Sequence, residues 1–128
     1  MTRFARICML LPALALILCG CNSPGIQPQV HNNTDSFEYQ VSNVKGYTGV
    51  LEYAWTVTGP VAVVNQATSV TGGTMTLTLL HDGRQVYSRS LAENGTFETT
   101  ADTAGTWTIR VTYQDASGTV NFRVQKKT

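Results

Sequence analysis

Gly105-Thr106-Trp107-Thr108-Ile109-Arg110-Val111-Thr112-Tyr113, then Asp115-Ala116-Ser117-Gly118, then Thr119-Val120-Asn121-Phe122-Arg123-Val124 is the stretch that decides the fold. Trp107, Ile109, Val111 and Tyr113 alternate with Thr106, Thr108, Arg110 and Thr112. Val120, Phe122 and Val124 alternate with Asn121, Arg123 and Gln125. A period of two puts one set of side chains on each face of a strand, so both runs read as strands with one buried face. Asp115 to Gly118 has turn chemistry and reads as the connection between them.

The same pattern extends upstream. Phe37, Tyr39 and Val41 alternate with Glu38 and Gln40, and Leu51, Tyr53, Trp55 and Val57 alternate with Glu52, Ala54 and Thr56. Val61 to Val70 holds a less regular strand, and Met75, Leu77 and Leu79 alternate with Thr74, Thr76 and Thr78. His81-Asp82-Gly83-Arg84 predicts a hairpin turn whose Gly accepts positive φ, with a return strand over 85–91. Asn94-Gly95 predicts a second turn before a short strand at Phe97. The chain holds 19 Thr and 13 Val, residues whose branching at Cβ favours a pleated, half-buried surface. No window shows a helical stripe. The expectation is all-β: an antiparallel β-sandwich of seven to eight strands, jelly-roll or Ig-like, without disulfides.

The segment before this is different. Arg3 and Arg6 precede an apolar run over 7–18, too short for the ~20 residues that span a bilayer but suited to a secretory signal. Leu18-Cys19-Gly20-Cys21 follows and resembles a bacterial lipobox, with an aliphatic residue at −3 and a small one at −1, although Cys19 at −2 departs from the usual Ala or Ser. The resemblance implies cleavage between Gly20 and Cys21, with a thioether-linked diacylglycerol and an amide-linked acyl chain on Cys21. It implies three regions: a signal peptide over 1–20, lipidated Cys21 and a flexible tether over 21–35, and a β-sandwich domain over 36–128. Two or more acyl chains hold a protein on a membrane durably where one does not. Asn22 rather than Asp after the lipidated residue leans toward the outer membrane by resemblance to enterobacterial sorting. With Cys21 acylated and Cys8 and Cys19 removed, no thiol remains for a disulfide, a metal or a nucleophile.

Gly105 to Val111 followed by Gly118 to Phe122 also resembles the ending of bacterial pre-peptidase C-terminal (PPC) domains and of GOLD domains, over Gly73 to Val124. The resemblance implies a jelly-roll-like sandwich and carries over no binding residue, since the acidic strand motif often seen in PPC domains is absent.

Nine Lys+Arg against eight Asp+Glu give a formal charge of +1, and only 13% of residues are charged. Nucleic acid, which demands clustered positive charge, is excluded as a partner. A 42% hydrophobic content excludes a disordered chain. His31 falls in the expected tether and His81 in an expected solvent-exposed turn. There is no Gly-x-Ser-x-Gly and no His placed to activate a Ser, so no catalytic residues and no enzyme are expected. Asp82, Asp102 and Asp115 fall in expected loops and are weak candidates for calcium; no cofactor is expected. Phe37, Tyr39, Tyr53, Trp55, Phe97, Trp107, Tyr113 and Phe122 read as core. Tyr47, in a Gly-flanked loop, and Tyr87, in phase with Gln85 and Arg89, read as ligand-facing candidates. The expected function is a non-enzymatic, lipid-anchored envelope module binding protein or glycan. The alternatives are an accessory subunit docking through a sheet edge and a small enzyme.

Overall fold

A computed structural model describes residues 25–128. Seven strands follow one another: β1 (Gln29–Asn33), β2 (Ser36–Val57), β3 (Ala62–Gln66), β4 (Ser69–His81), β5 (Arg84–Ser90), β6 (Gly95–Glu98) and β7 (Gly105–Lys126). All pairings are antiparallel. The sandwich is one continuous sheet bent over on itself. Its first half runs β1, β2, β7, β3, β6, using residues 36–41 of β2 and 118–125 of β7. Its second half runs β2, β7, β4, β5, using residues 49–57 of β2 and 105–113 of β7.

The bend is a crease where three strands lose register together. Shifts fall between Val41 and Gly49 in β2, against 113–120 of β7, and between Val70 and Thr74 in β4, against 114–118 of β7. Asn43, Gly46, Gly73, Asp115 and Gly118 all have positive φ there. Extra residues of this kind sharpen twist and let a strand turn a corner. Asp115 and Gly118 therefore keep the backbone of turn residues, but the chain bends and continues as one strand instead of reversing. The expected turn over 115–118 is a fold in one 22-residue strand, as is the expected loop over 45–49. The buried set of β7 changes phase across it, from Trp107, Ile109, Val111 and Tyr113 to Ala116, Val120, Phe122 and Val124.

The core fills the space between the halves. Tyr53 of the second half packs on Phe37 at 5.5 Å and on Tyr39 at 5.9 Å between ring centroids. Trp55 and Trp107 meet edge to face at 6.2 Å, and their indole N–H groups donate to the Asn33 and Thr103 carbonyls. Tyr39 and Tyr113, both buried, share a hydroxyl–hydroxyl bond of 2.7 Å. Of the eight aromatics expected in the core, six are buried, and Tyr53 and Phe97 pack against it half-exposed. The Asp82–Gly83 hairpin is as expected, with φ of 50° and 78°.

The tether expected over 21–35 is corrected at its end. Gln29–Asn33 pairs with Ser36–Gln40 as β1. Its amides give no periodicity because it gains backbone hydrogen bonds and little burial. Asp35, at φ 67°, closes the turn: its carboxylate accepts from Thr58 N and Thr58 Oγ1 at 2.6 and 2.7 Å. The Thr58 bonds, with Lys126 nearby, hold its carboxyl below the usual range. Gly20 and Cys21, and the signal peptide expected over 1–20, lie outside the described residues.

Candidate functional site

Phe37, Tyr39, Val41, Val64, Val120, Phe122 and Val124 point inward, so the intervening residues of the first half form its outer face. Register places them in rows. His31 lies opposite Glu38, Glu38 opposite Arg123, Arg123 opposite Asn65, and Asn65 opposite Thr96. The next row is Gln29, Gln40 and Asn121. Neighbours in such rows stand ~4.5–5.5 Å apart at Cβ. Gln29, His31, Glu38, Gln40, Asn121 and Arg123 are all exposed and line a shallow cleft of about 100 Å³ over the Tyr39 and Phe122 positions. Glu38 and Arg123 face each other at 3.6 Å, a solvated pair of small energetic weight. Thr96 Oγ1 donates to Asn65 Oδ1 at 2.6 Å.

Three amides, an imidazole, a carboxylate and a guanidinium thus stand on a rigid sheet with both donors and acceptors outward. That set can hydrogen-bond a polyhydroxylated ligand on several groups at once. His31 is therefore held on a strand, where the sequence reading placed it in a tether. What hid the site is that its members come from three separate strands, and only the register aligns them.

Tyr87 is not ligand-facing: it is 7% exposed and its hydroxyl donates to Gln66 Oε1 at 2.7 Å. A bulge makes Leu79 face Tyr87 and Leu80 face Gln85, so Val86 is the extra residue and both Val86 and Tyr87 turn inward. Burial pushes the Tyr87 phenol up to about 12. Tyr47 is half-exposed at the crease, its ring edge-on to Tyr113 at 5.1 Å and lying across Gly49.

His81 is 7% exposed rather than a solvated turn residue. Its Nδ1 lies 3.0 Å from Asp102 Oδ1, and Asp102 also accepts from Arg84 Nη2 at 2.9 Å, Arg84 Nε at 3.1 Å and Thr103 N at 2.7 Å. Arg84 first, then His81 and the Thr103 amide, hold the Asp102 carboxyl far below its ordinary range. Facing a carboxylate, Nδ1 carries the imidazole proton. This clasp joins the β4–β5 hairpin to the segment before β7, and it occupies the acid that a cation would need. Asp82 is near it, with Oδ2 3.7 Å from His81 Nε2, whereas Asp115 lies at the crease beside Thr48. The three calcium candidates do not converge, and among the described residues no group of three His, Cys, Asp or Glu could hold a metal.

No protein-family model matches the chain, and no curated protein matches it. Among solved structures, KdgF from Halomonas sp. is similar at a TM-score of 0.36 and 16% identity, covering 84% of this chain and 86% of that one. A structure of the infectious bursal disease virus Gt strain is similar at 0.32 and 13% identity, covering 91% of this chain and 36% of that one. The fold and the face together define an all-β domain with a polar sheet surface.

Proposed function

We propose that this protein is a lipid-anchored cell-envelope module, held by acylated Cys21 and placed at the outer membrane, that binds an envelope glycan without catalysing a reaction. The observation that carries the binding half is the two-row polar face: Gln29, Gln40 and Asn121 beside His31, Glu38 and Arg123. Paired amides match vicinal hydroxyls, and a flat rigid sheet suits a polymer better than a small molecule, for which a 100 Å³ cleft is small. The anchor reading is supported by the order of basic segment, apolar run, Gly20 and Cys21.

Two measurements test the two halves. Cys21→Ser accumulates uncleaved and loses incorporation of labelled palmitate; retained label overturns the anchor. Sedimentation with insoluble peptidoglycan, and capture on an array of bacterial envelope polysaccharides, test the face. Gln40→Ala with Asn121→Ala weakens binding about tenfold, the worth of one to two exposed hydrogen bonds. Thr108→Ala, on the outer face of the other half, leaves it unchanged. Absence of wild-type binding to any glycan, or equal binding by the double variant, sinks the glycan reading.

A further inference from the structure

We propose that the creased end of the sandwich is seated on the phospholipid headgroup layer of the anchoring membrane, drawn there by a short leash and held by Lys45 and Tyr47. This rests on the anchor reading, in which the acyl chains on Cys21 fix that residue at the bilayer surface. Asn22, Ser23 and Pro24 separate Cys21 from Gly25, the first described residue. Four Cα steps of ~3.3–3.6 Å each let Gly25 stand no more than about 14 Å from Cys21. From Ile26 onward the chain belongs to the fold: Ile26 packs against the core, and Gln29 opens the β1 pairing opposite Gln40.

Register places that entry point at one end of the molecule. β1 runs antiparallel to β2, so it starts toward Val41 and the crease and finishes toward Ser36. Gly25, Ile26 and Gln27 accordingly line a hollow of about 350 Å³ with Asn43, Lys45 and Tyr47. The opposite end is where the two halves of β2 meet again: the Asp35 carboxylate accepts from Thr58, and Asp102 N donates to the Pro60 carbonyl. Ser36 and Val44 both lie in β2, and the strand between them spans ~26 Å at ~3.3 Å per residue. That span is about twice the reach of the leash, so the far end cannot rest on the bilayer with the creased end turned away from it.

The two ends also differ in what they offer a headgroup layer. Where β2 and β7 bend, the charged residues are Lys45 and Asp115, amid Asn43, Thr48 and Gln114. Arg89 and Glu93, further out at the sheet margin, neutralise each other at 2.8 Å. Lys45 is exposed and forms no ion pair among the described residues, so its ammonium can meet a lipid phosphate. Tyr47 is half-exposed with its ring held edge-on to Tyr113, a rigid amphipathic group of the kind that settles at headgroup level. The far end instead carries Asp35, Asp82, Asp102, Lys126 and Lys127, charges that are costly to strip of water. Each contact at the crease is weak alone, and a short leash makes weak contacts persist by raising their effective concentration. Seated this way the strands stand upright and the polar rows run parallel to the bilayer. Gln29, Gln40 and Asn121 are then the nearer row, with His31, Glu38 and Arg123 ~7 Å above it.

Nitroxide labels on the lipidated chain read the seating. The vesicles are phosphatidylethanolamine and phosphatidylglycerol, doped with a Ni²⁺-chelating lipid that relaxes a nitroxide on collision at the headgroup layer. A label at Ser42→Cys, at the creased end, is relaxed. Labels at Lys127→Cys, at the far end, and at Thr108→Cys, on the outer face of the second half, are not. Inserting about ten Gly and Ser residues after Ser23 lowers the Ser42 relaxation about sixfold, since effective concentration falls roughly as the −3/2 power of leash length. Lys45→Glu lowers it about fivefold in these vesicles and leaves it unchanged in phosphatidylcholine. Relaxation at residue 127 or 108 equal to that at 42, no response to the longer leash, or an equal effect of Lys45→Glu in both lipids overturns the seating while the anchor stands. A wild-type chain that takes up label at a native cysteine, or that fails to float with the vesicles, overturns the anchor and the seating together.

Discussion

Replacing Gly118 by Ala tests whether the crease sets the fold. Gly118 has φ 144°, a region essentially reserved for glycine, and an added Cβ would run into the Ser69 carbonyl oxygen and lie 3.1 Å from Val70 Cα. That oxygen belongs to backbone held in the β4–β7 pairing, so it has no rotamer by which to retreat. Holding a non-glycine residue in such a conformation costs about 1–3 kcal/mol. Forcing an atom into a packed site costs about another 1–3 kcal/mol. The control is Gly83→Ala. Gly83 also has positive φ, 78°, but an added Cβ meets nothing within 4 Å. Its cost is the left-handed strain alone, about 1–2 kcal/mol. The two variants therefore differ by about 2–3 kcal/mol. A domain of this size loses about 4–8 °C per kcal/mol, so Gly118→Ala melts about 10–20 °C below Gly83→Ala. Thermal unfolding followed by circular dichroism, with urea midpoints beside it, measures the gap. Melting of the two variants within a few degrees of each other refutes the crease as a constrained element.

Two further outcomes are expected. Tyr39→Phe and Tyr113→Phe each cost about 1–2 kcal/mol in urea unfolding, because each strands the partner hydroxyl of a buried bond; the double variant costs less than their sum, and strict additivity contradicts the bond. Asp102 has a depressed folded pKa, so its stabilisation is present above the unfolded carboxylate value of about 3.9 and drains away as pH falls below it. Asp102→Asn is less stable than wild type at pH 7, and the gap narrows on acidification toward pH 2; a gap that holds constant across that range contradicts the clasp.

What the sequence discloses here is set by the range of the interaction concerned. The alternation through Trp107–Tyr113 and Val120–Val124 is local, and it reports the right strands and the right faces. The Asp82–Gly83 turn is local too, and the backbone there has the φ values its residues favour. The change from odd to even buried positions between Tyr113 and Ala116 is also written in the chain. A turn and a bulge both need positive φ and both permit a change of phase, so composition alone does not separate them. Only the partner strands do, and at the crease β4 lies 45 to 48 positions away, with Gly72 against Ser117 and Val70 against Gly118. The inward turn of Tyr87 is hidden from the sequence for the same reason, since the bulge that causes it lies in its pairing with β4. His81 is buried by a carboxylate 21 residues along, which no hairpin motif announces.

The polar face, and the edge of β2 over 49–54 that pairs with no strand on the side away from β7 among the described residues, follow from one circumstance. Because β2 crosses the crease, its two halves belong to opposite layers of the sandwich. The five residues of β1 can cover only the first half, and in doing so they bring Gln29 and His31 alongside Gln40 and Glu38. The β1–β2 turn reaches over to Ala54, Thr56 and Thr58 and stops there. The short strand that completes the polar rows on one layer thus has no counterpart, among the described residues, beside β2 on the other. A β1 lengthened enough to cover Val50 and Glu52 would have to cross the crease beside β2, and the segment from Gly25 to Pro28, bounded by a Gly and a Pro, forms no strand with which to do so.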